Sequence, residues 1–448
     1  MIPALFDHQK KTIAKHKKTD ILLDLSDPGT GKTRGGIETF AARRRKSGGK
    51  LLVVATKSLL DVAWKDDFTK FAPDISVICA YANNREEAFA ADCDVYVTNH
   101  DAVKWLAKKP EKFFKKFDSI IIDESTAFKH YTSQRSKALA KIVKYFTYRD
   151  CFTGTPTSNG ICDIWHQVYL LDGGERLGNS YFRFRSSACI PQQIGPMPNM
   201  VKWVDRPGIE NVVSALLKDI TIRHLFEDCV DIPPNHRYAV HLDLNKAHMR
   251  KYQKMETDQM VVIKDKVINA VNGAAVYTKL LQIASGAVYN GDGTYSLVDT
   301  SRYELIMDMV EERKHSIVFF NWEHQRNELI AEAQRRDISF AVYDGSTPDK
   351  ARADIVRHYQ AGKYRVLFAH PQSAGHGLTL VKGTTTIFAS PTYNLEHFLQ
   401  GLKRIHRIGQ TEKTETIVVV ARGTADEKVW EVAQHKDAKQ KDLLEMLQ

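Results

Sequence analysis

The chain has 448 residues, 43% hydrophobic and 26% charged, and Lys+Arg 64 against Asp+Glu 54 gives a formal net charge of +10. That length exceeds one ordinary domain, and that balance excludes wholesale disorder and collagen-like structure. No stretch approaches the roughly 20 apolar residues of a membrane helix, and no apolar core follows the first residues, so neither a membrane span nor a signal peptide is expected.

In chain order, residues 21–25, 51–55, 95–98, 119–122 and 151–153 are short, apolar and β-rich, and read as buried strands. Helical patterns over 34–45 and 133–145 alternate with them, as in a parallel sheet covered on both faces. From about 157 to 310 the alternation fades. Residues 178–208 read as an irregular surface excursion, and 216–226, 246–272 and 275–285 as helices. Ile232-Pro233-Pro234-Asn235 reads as a hinge, since two prolines cannot sit inside a helix. A second set of strands follows at 317–320, 340–343, 366–369, 385–389 and 416–420. The expected fold is α/β, with two parallel-sheet lobes that each carry a helical insertion. The boundaries are lobe 1 at 1–156, its insertion at 157–231, hinge and second insertion at 232–300, and lobe 2 at 301–448.

The positive charge is uneven. Residues 1–50 hold twelve Lys/Arg against five Asp/Glu, with Arg43, Arg44, Arg45 and Lys46 as the tightest run. Lys104, Lys108, Lys109, Lys112, Lys115 and Lys116 form a second stretch. Such clusters suit a polyanion, nucleic acid first, or else are solvated helix faces. Six cysteines, none at CxxC spacing, write no zinc finger and suggest buried thiols in a reducing compartment.

Two motifs carry chemistry. Ser26-Asp27-Pro28-Gly29-Thr30-Gly31-Lys32-Thr33 follows the first strand and opens a helix. Backbone N–H groups freed by glycine can curl around phosphate oxygens, and the helix start adds partial positive charge. Gly29, Thr30, Gly31 and Lys32 would cradle the phosphates, and the Thr33 hydroxyl would hold Mg²⁺. Ser26 stands where the GxxxxGK(S/T) pattern begins with glycine. The strand 119–122 then ends in Asp123-Glu124-Ser125-Thr126. Asp123 would hold Mg²⁺ and Glu124 would orient and deprotonate an attacking water, giving a site for a nucleoside triphosphate.

The 91 residues between Lys32 and Asp123 are long for a compact ring ATPase, and Thr153-Gly154-Thr155-Pro156 follows the acids by 30. Val54 to Leu60 with Trp64, and Val97-Thr98-Asn99-His100, lie in the gap. With these stretches the chain resembles the superfamily-two helicase-like ATPases, and more narrowly the Swi/Snf, chromatin-remodeller-type family of DNA translocases. Gln400-Gly401-Leu402-Lys403-Arg404-Ile405-His406-Arg407-Ile408-Gly409-Gln410 is similar to that family's QxxxRxHRIGQ signature. Tyr343 to Thr347 with Arg352 resembles its GST-then-Arg segment, and Ser373 to Leu380 its SxAGGxGxxL loop. The likeness runs from about Leu5 to Lys436.

The resemblance implies two RecA-like lobes with ATP in the cleft between them. Arg404 and Arg407, i and i+3 on a helix, would reach the γ-phosphate as arginine fingers. It implies that Gln9 reads the adenine edge, that Gly377 and Gln410 belong to the nucleotide site, and that Thr153 and Thr155 relay its state. DNA phosphates would lie near Lys57, Thr98, Asn99, Ser346 and Ser373. Departures are Thr126 where the family often has His, Asp27-Pro28 for its usual Glu-Met, and His376 for a glycine; such variation suits a compact phage or mobile-element member. The expected activity is DNA-dependent ATP hydrolysis coupled to movement along duplex DNA, by a cytoplasmic monomer aided by a targeting partner. The alternatives are a strand-separating DNA or RNA helicase, a non-catalytic nucleic-acid scaffold and a ring ATPase.

Overall fold

The computed structural model describes residues 2–194, 200–229, 231–265, 270–374 and 378–447. The chain divides into two compact units. The first comprises Met1–Gln192, Trp203–Asp231 and Asp437–Gln448, and the second Gln193–Lys202 and Ile232–Lys436.

The strands in chain order are β1 (Ile21–Asp24), β2 (Lys50–Ala55), β3 (Val77–Ala80), β4 (Val95–Asn99), β5 (Phe117–Asp123), β6 (Tyr148–Phe152), β7 (Cys189–Gln193), β8 (Val201–Asp205) and β9 (Thr221–Ile222). They continue with β10 (Asn235–Leu242), β11 (Ala287–Tyr289), β12 (Tyr295–Leu297), β13 (Ser316–Phe319), β14 (Phe340–Tyr343), β15 (Val366–Ala369), β16 (Thr385–Phe388) and β17 (Thr414–Ala421). Among the described residues, the first unit holds a parallel sheet ordered β3-β4-β2-β5-β6-β1-β9. The second holds a parallel sheet ordered β10-β17-β16-β13-β15-β14.

Alternate residues of each strand feed two separate cores, as a sheet covered on both faces requires. In β2, Leu52 and Val54 join Ile120 and Ile122 on one face. Leu51, Val53 and Ala55 join Ile121 and Phe152 on the other. The second unit repeats the scheme: Ile317, Phe319 and Leu367 pack on one face, and Val318, Phe320 and Phe368 on the other. The last residues of the chain belong to the first unit's core, where Leu443, Leu444 and Leu447 join Val213 and Leu217.

Several stretches differ from the sequence reading. Within 178–208, Tyr181–Ala188 is a helix, and β7 and β8 form a separate two-stranded sheet. The helix expected over 216–226 is interrupted: Ile209–Leu217 is helical, then β9 pairs with β1. β10 occupies the residues after the double proline and pairs with β17 along its full length.

Buried neutral histidines give the fold an acid limit. His166 Nδ1 lies 2.6 Å from the Phe128 carbonyl, and burial pushes its pKa down to about 4. His324 Nε2 lies 2.8 Å from Ser285 Oγ and is pushed down to about 4 by burial, then by the Arg302 charge. In the unfolded chain both take a proton near pH 6.5, so the unfolded state binds more protons between about 6.5 and 4. Their stabilisation is whole above pH 6.5 and is lost as pH falls toward 4, by about 3 kcal/mol each at the limit. Urea midpoints measured from pH 7.5 to 4.5 should therefore fall, and His166→Gln should flatten the slope.

Candidate nucleotide and nucleic-acid site

The first unit assembles its motifs around the end of β1. Residues 25–31 form the loop, and the helix Lys32–Ser47 begins directly after it. Gly29 and Gly31 have φ of 91° and 82°, a region that favours glycine. A Cβ at Gly31 would lie 2.4 Å from Gln9 Nε2, so a side chain there would push that amide aside. Gly36 seats the helix on the sheet; a Cβ would come 3.1 Å from both Ile121 Cδ1 and Phe152 Cζ. Ser26 explains the missing first glycine. Its hydroxyl accepts from the His224 N–H at 3.1 Å and its N–H donates to Asp24 Oδ1 at 2.9 Å. The loop is thereby tied to the segment after β9.

Lys32 Nζ donates to the Ser26 and Asp27 carbonyls at 2.6 and 3.1 Å, across its own loop. Thr30 Oγ1 donates to the Asp27 carbonyl at 2.8 Å. Thr33 is half-buried in the first turn of the helix. Gln9 is buried; its Oε1 accepts from Phe6 N at 3.1 Å and caps the helix Asp7–His16. His8 Nε2 lies 2.7 Å from the Thr30 carbonyl, fastening that helix to the loop.

β5 delivers the acids. Asp123 Oδ2 accepts from Trp64 Nε1 at 2.9 Å and Oδ1 from Glu124 N at 3.1 Å. Burial raises the Asp123 pKa, and the Trp64 hydrogen bond and the Lys32 charge oppose that rise. The phosphate loop and the acid strand thus share one electrostatic site. Glu124 has φ 51° and ψ 58°, a left-handed conformation that costs a non-glycine residue about 1–2 kcal/mol. A separation of 59 residues between Trp64 and Asp123 leaves no local signal of their bond in the sequence.

The acid turn is linked to the Thr153–Pro156 loop through Gln167, which is fully buried. Ser125 Oγ donates to Gln167 Oε1 at 2.7 Å, and Gln167 Nε2 donates to the Pro156 carbonyl at 2.9 Å. Thr153 and Thr155 are buried, and Thr155 N donates to Thr153 Oγ1 at 3.1 Å. A Cβ at Gly154 would lie 2.7 Å from Pro28 Cδ, so this loop rests against the phosphate loop.

In the second unit the helix Leu395–Leu402 ends before both arginines. Arg404 and Arg407 therefore do not share a helical face, which corrects the sequence reading. They converge by another route: Arg404 Nη1 and Arg407 Nη1 donate to the same Leu378 carbonyl, at 3.2 and 2.8 Å. Burial lowers the Arg407 pKa. Gln410 is buried with its amide committed inside the turn: Nε2 donates to the carbonyls of Val381, Gly383 and Ile405, and Oε1 accepts from Thr411 N and Glu412 N. Gly377 and His376 lie outside the described residues.

The expected DNA contacts divide. Thr98 is fully buried and donates to the Ala80 carbonyl at 2.8 Å, so its hydroxyl is turned into the sheet. Asn99 Oδ1 accepts from Arg85 Nη2 at 3.2 Å. Lys57 is exposed after β2. Ser346 is exposed and donates to Asp344 Oδ1 at 2.6 Å, and Ser373 is half-buried in Pro371–Ala374. These two follow the paired ends of β14 and β15, Tyr343 and Ala369, at one edge of their sheet. Arg352 donates to the Thr347 and Asp344 carbonyls and braces that turn. The basic runs divide too. Arg43 and Arg44 pair with Asp150 and Asp94, whereas Arg45 and Lys46 are exposed. Lys104 and Lys109 pair with Asp101 and Glu86, whereas Lys108, Lys112 and Lys115 are exposed.

Residues 8–285 match the family model described as the SNF2-related domain. The chain belongs to the SNF2-related family. Residues 301–409 match a second model, the helicase conserved C-terminal domain. A phage relative, protein p41 of Acyrthosiphon pisum secondary endosymbiont phage 1, is 29% identical over 88% of this chain and 88% of its own length. The SWI/SNF-related matrix-associated actin-dependent regulator of chromatin subfamily A-like protein 1 of Xenopus tropicalis is 26% identical over 93% of this chain. This chain spans 42% of that protein's length. The Sulfolobus solfataricus SWI2/SNF2 ATPase core, solved in complex with dsDNA, is 20% identical over 99% of this chain and 93% of its own, with a TM-score of 0.46. Among the described residues, no helix of this SNF2-family chain is long and apolar enough to cross a membrane.

Proposed function

We propose that the protein is a DNA-dependent ATPase that couples ATP hydrolysis to movement along double-stranded DNA. The observation that carries this reading lies in the first unit, where the phosphate loop rests against the Thr153–Pro156 loop and Gln167 ties that loop to the acid turn at the end of β5. The residues fit a magnesium nucleotide. Two left-handed glycines open the loop, a helix begins at Lys32, and a half-buried carboxylate keeps lone pairs beyond those taken by Trp64 and Glu124. Thr33 and Asp123 would hold Mg²⁺, which supplies charge neutralisation on the phosphates.

In this reading Lys32 binds the terminal phosphates and Glu124 orients the attacking water and takes its proton. Arg404 and Arg407 supply positive charge to the transferring phosphoryl group. Lys57, Ser346 and Ser373 contact the DNA backbone, and Thr153 and Thr155 relay nucleotide state. Contacts of this kind favour little sequence preference and a strong salt dependence. The segment 157–231, or a partner protein, supplies the target.

The test is ATP turnover against duplex, single-stranded, forked and RNA ligands at fixed salt, beside triplex displacement and strand displacement. Duplex DNA should stimulate turnover most, and the protein should displace a triplex strand without separating the duplex. Unwinding without triplex displacement overturns translocation in favour of a helicase. Turnover indifferent to every nucleic acid removes the DNA dependence.

A further inference from the structure

We propose that the base of the nucleotide lodges in a cavity beside the phosphate loop and is read there by Arg223. This inference rests on the nucleotide site proposed above and adds the residue that selects its base. The cavity has a volume of about 550 Å³, within the range of small-molecule sites. Phe6, His8, Lys11, Ile222, Arg223 and Leu225 are among its lining residues, all from the first unit. It adjoins the phosphate loop, because His8 and His224 line both this cavity and the narrow gap over Thr30, Gly31 and Lys32. The His8 ring touches the loop through Nε2 and stacks on Phe6 at 5.6 Å with planes 10° apart. That pair offers an aromatic, apolar wall one side chain away from the phosphates.

Gln9 does not line this cavity. It lines the gap, with Oε1 capping its own helix at Phe6 N and Nε2 against Gly31. Arg223 does line the cavity. It is 7% exposed, and among the described residues its Nε and Nη1 are buried without a hydrogen-bond partner. Asp27, Asp228 and Glu445 act on it through space, while burial lowers its pKa. Two buried guanidinium N–H groups without acceptors are costly even beside those carboxylates, and a ligand that supplies acceptors relieves that cost. Arginine only donates, so its partner must be an acceptor, and the ring nitrogens of a purine are such acceptors in a flat ring that suits the Phe6–His8 wall.

The experiment measures equilibrium binding of ADP and of pyrophosphate, a base-free probe, to the full chain and to Arg223→Met and Arg223→Lys. The native chain should bind ADP far more tightly than pyrophosphate. Arg223→Met should weaken ADP at least tenfold and leave pyrophosphate unchanged, and the ligand-free Tm should hold or rise because two buried unsatisfied donors are gone. Arg223→Lys, which keeps the charge without the fork, should also weaken ADP selectively and decides the matter if the Met variant does not fold. Equal loss for both ligands, no loss for either, or a lower ligand-free Tm with ADP affinity intact overturns the assignment. A native chain that binds neither ligand, or a Lys32→Ala variant that binds both normally, overturns the nucleotide site itself.

Discussion

Glu124→Gln should lower ATP turnover by about 10²–10⁴-fold, the usual worth of a positioned general base, while ADP binding stays near native. The amide keeps the size of the side chain but cannot take a proton. Glu124 is suited to the role by its backbone. Its left-handed φ of 51° is held by Glu124 N donating to Asp123 Oδ1 at 3.1 Å and by Ala127 N donating to the Glu124 carbonyl at 3.0 Å. An ordinary residue at a strand end would not hold this conformation without a return elsewhere. Glu124→Gly supplies the control. It should be as inactive as the amide variant, yet more stable by about 1 kcal/mol, since glycine adopts this conformation without strain. Turnover unchanged in Glu124→Gln would remove the catalytic role, and a Glu124→Gly variant less stable than native would show that the turn is not strained.

How much of this was legible in the sequence depends on where the signal lay. Buried parallel strands are continuous apolar runs, so 119–122 and 366–369 mark β5 and β15 within a few residues. β10 has no such run. It is an edge strand with mostly exposed and half-buried residues, Asn235 to Leu242, and only its pairing with β17 makes it a strand. β9 is two residues long and exists because β1 offers a partner. The phosphate loop and acid strand were readable because their chemistry needs fixed residue types at short spacing. The Trp64–Asp123 bond and the Ser125–Gln167–Pro156 link join residues far apart in sequence, where no local pattern predicts contact. The arginine turn shows tertiary structure overriding local periodicity. Residues 395–407 could continue one helix, but Leu380 N donates to the Arg404 carbonyl at 3.0 Å and Gln410 gathers three carbonyls. Those bonds reward a turn at 403–410 over further helix. The basic runs likewise overstated free positive surface, since Arg43, Arg44, Lys104 and Lys109 are paired.

Arg407→Lys should lower kcat by about a thousandfold, the lower end for an arginine acting on a transferring phosphoryl group, with little change in ADP affinity. The environment of Arg407 supports that split. Among the described residues its side-chain bond is to a neutral carbonyl, Leu378, at 2.8 Å, and burial already lowers its pKa. A cation held by a carbonyl rather than a carboxylate keeps its charge uncompensated for an incoming anion. Lysine keeps that charge but loses the planar fork, so the defect should appear in the step where phosphoryl charge spreads rather than in ground-state binding. Leu378 retains the Arg404 donor at 3.2 Å, so the loop around it should persist and the Tm should move little. Arg404 is placed differently: its Nε donates to the Gln400 carbonyl at 2.8 Å and the residue is 5% exposed, so Arg404→Lys should lower both Tm and turnover. Stopped-flow nucleotide binding beside steady-state turnover separates the cases. A raised KM with native kcat in Arg407→Lys would make Arg407 a binding residue, and the proposed role at the transferring phosphoryl group would fall.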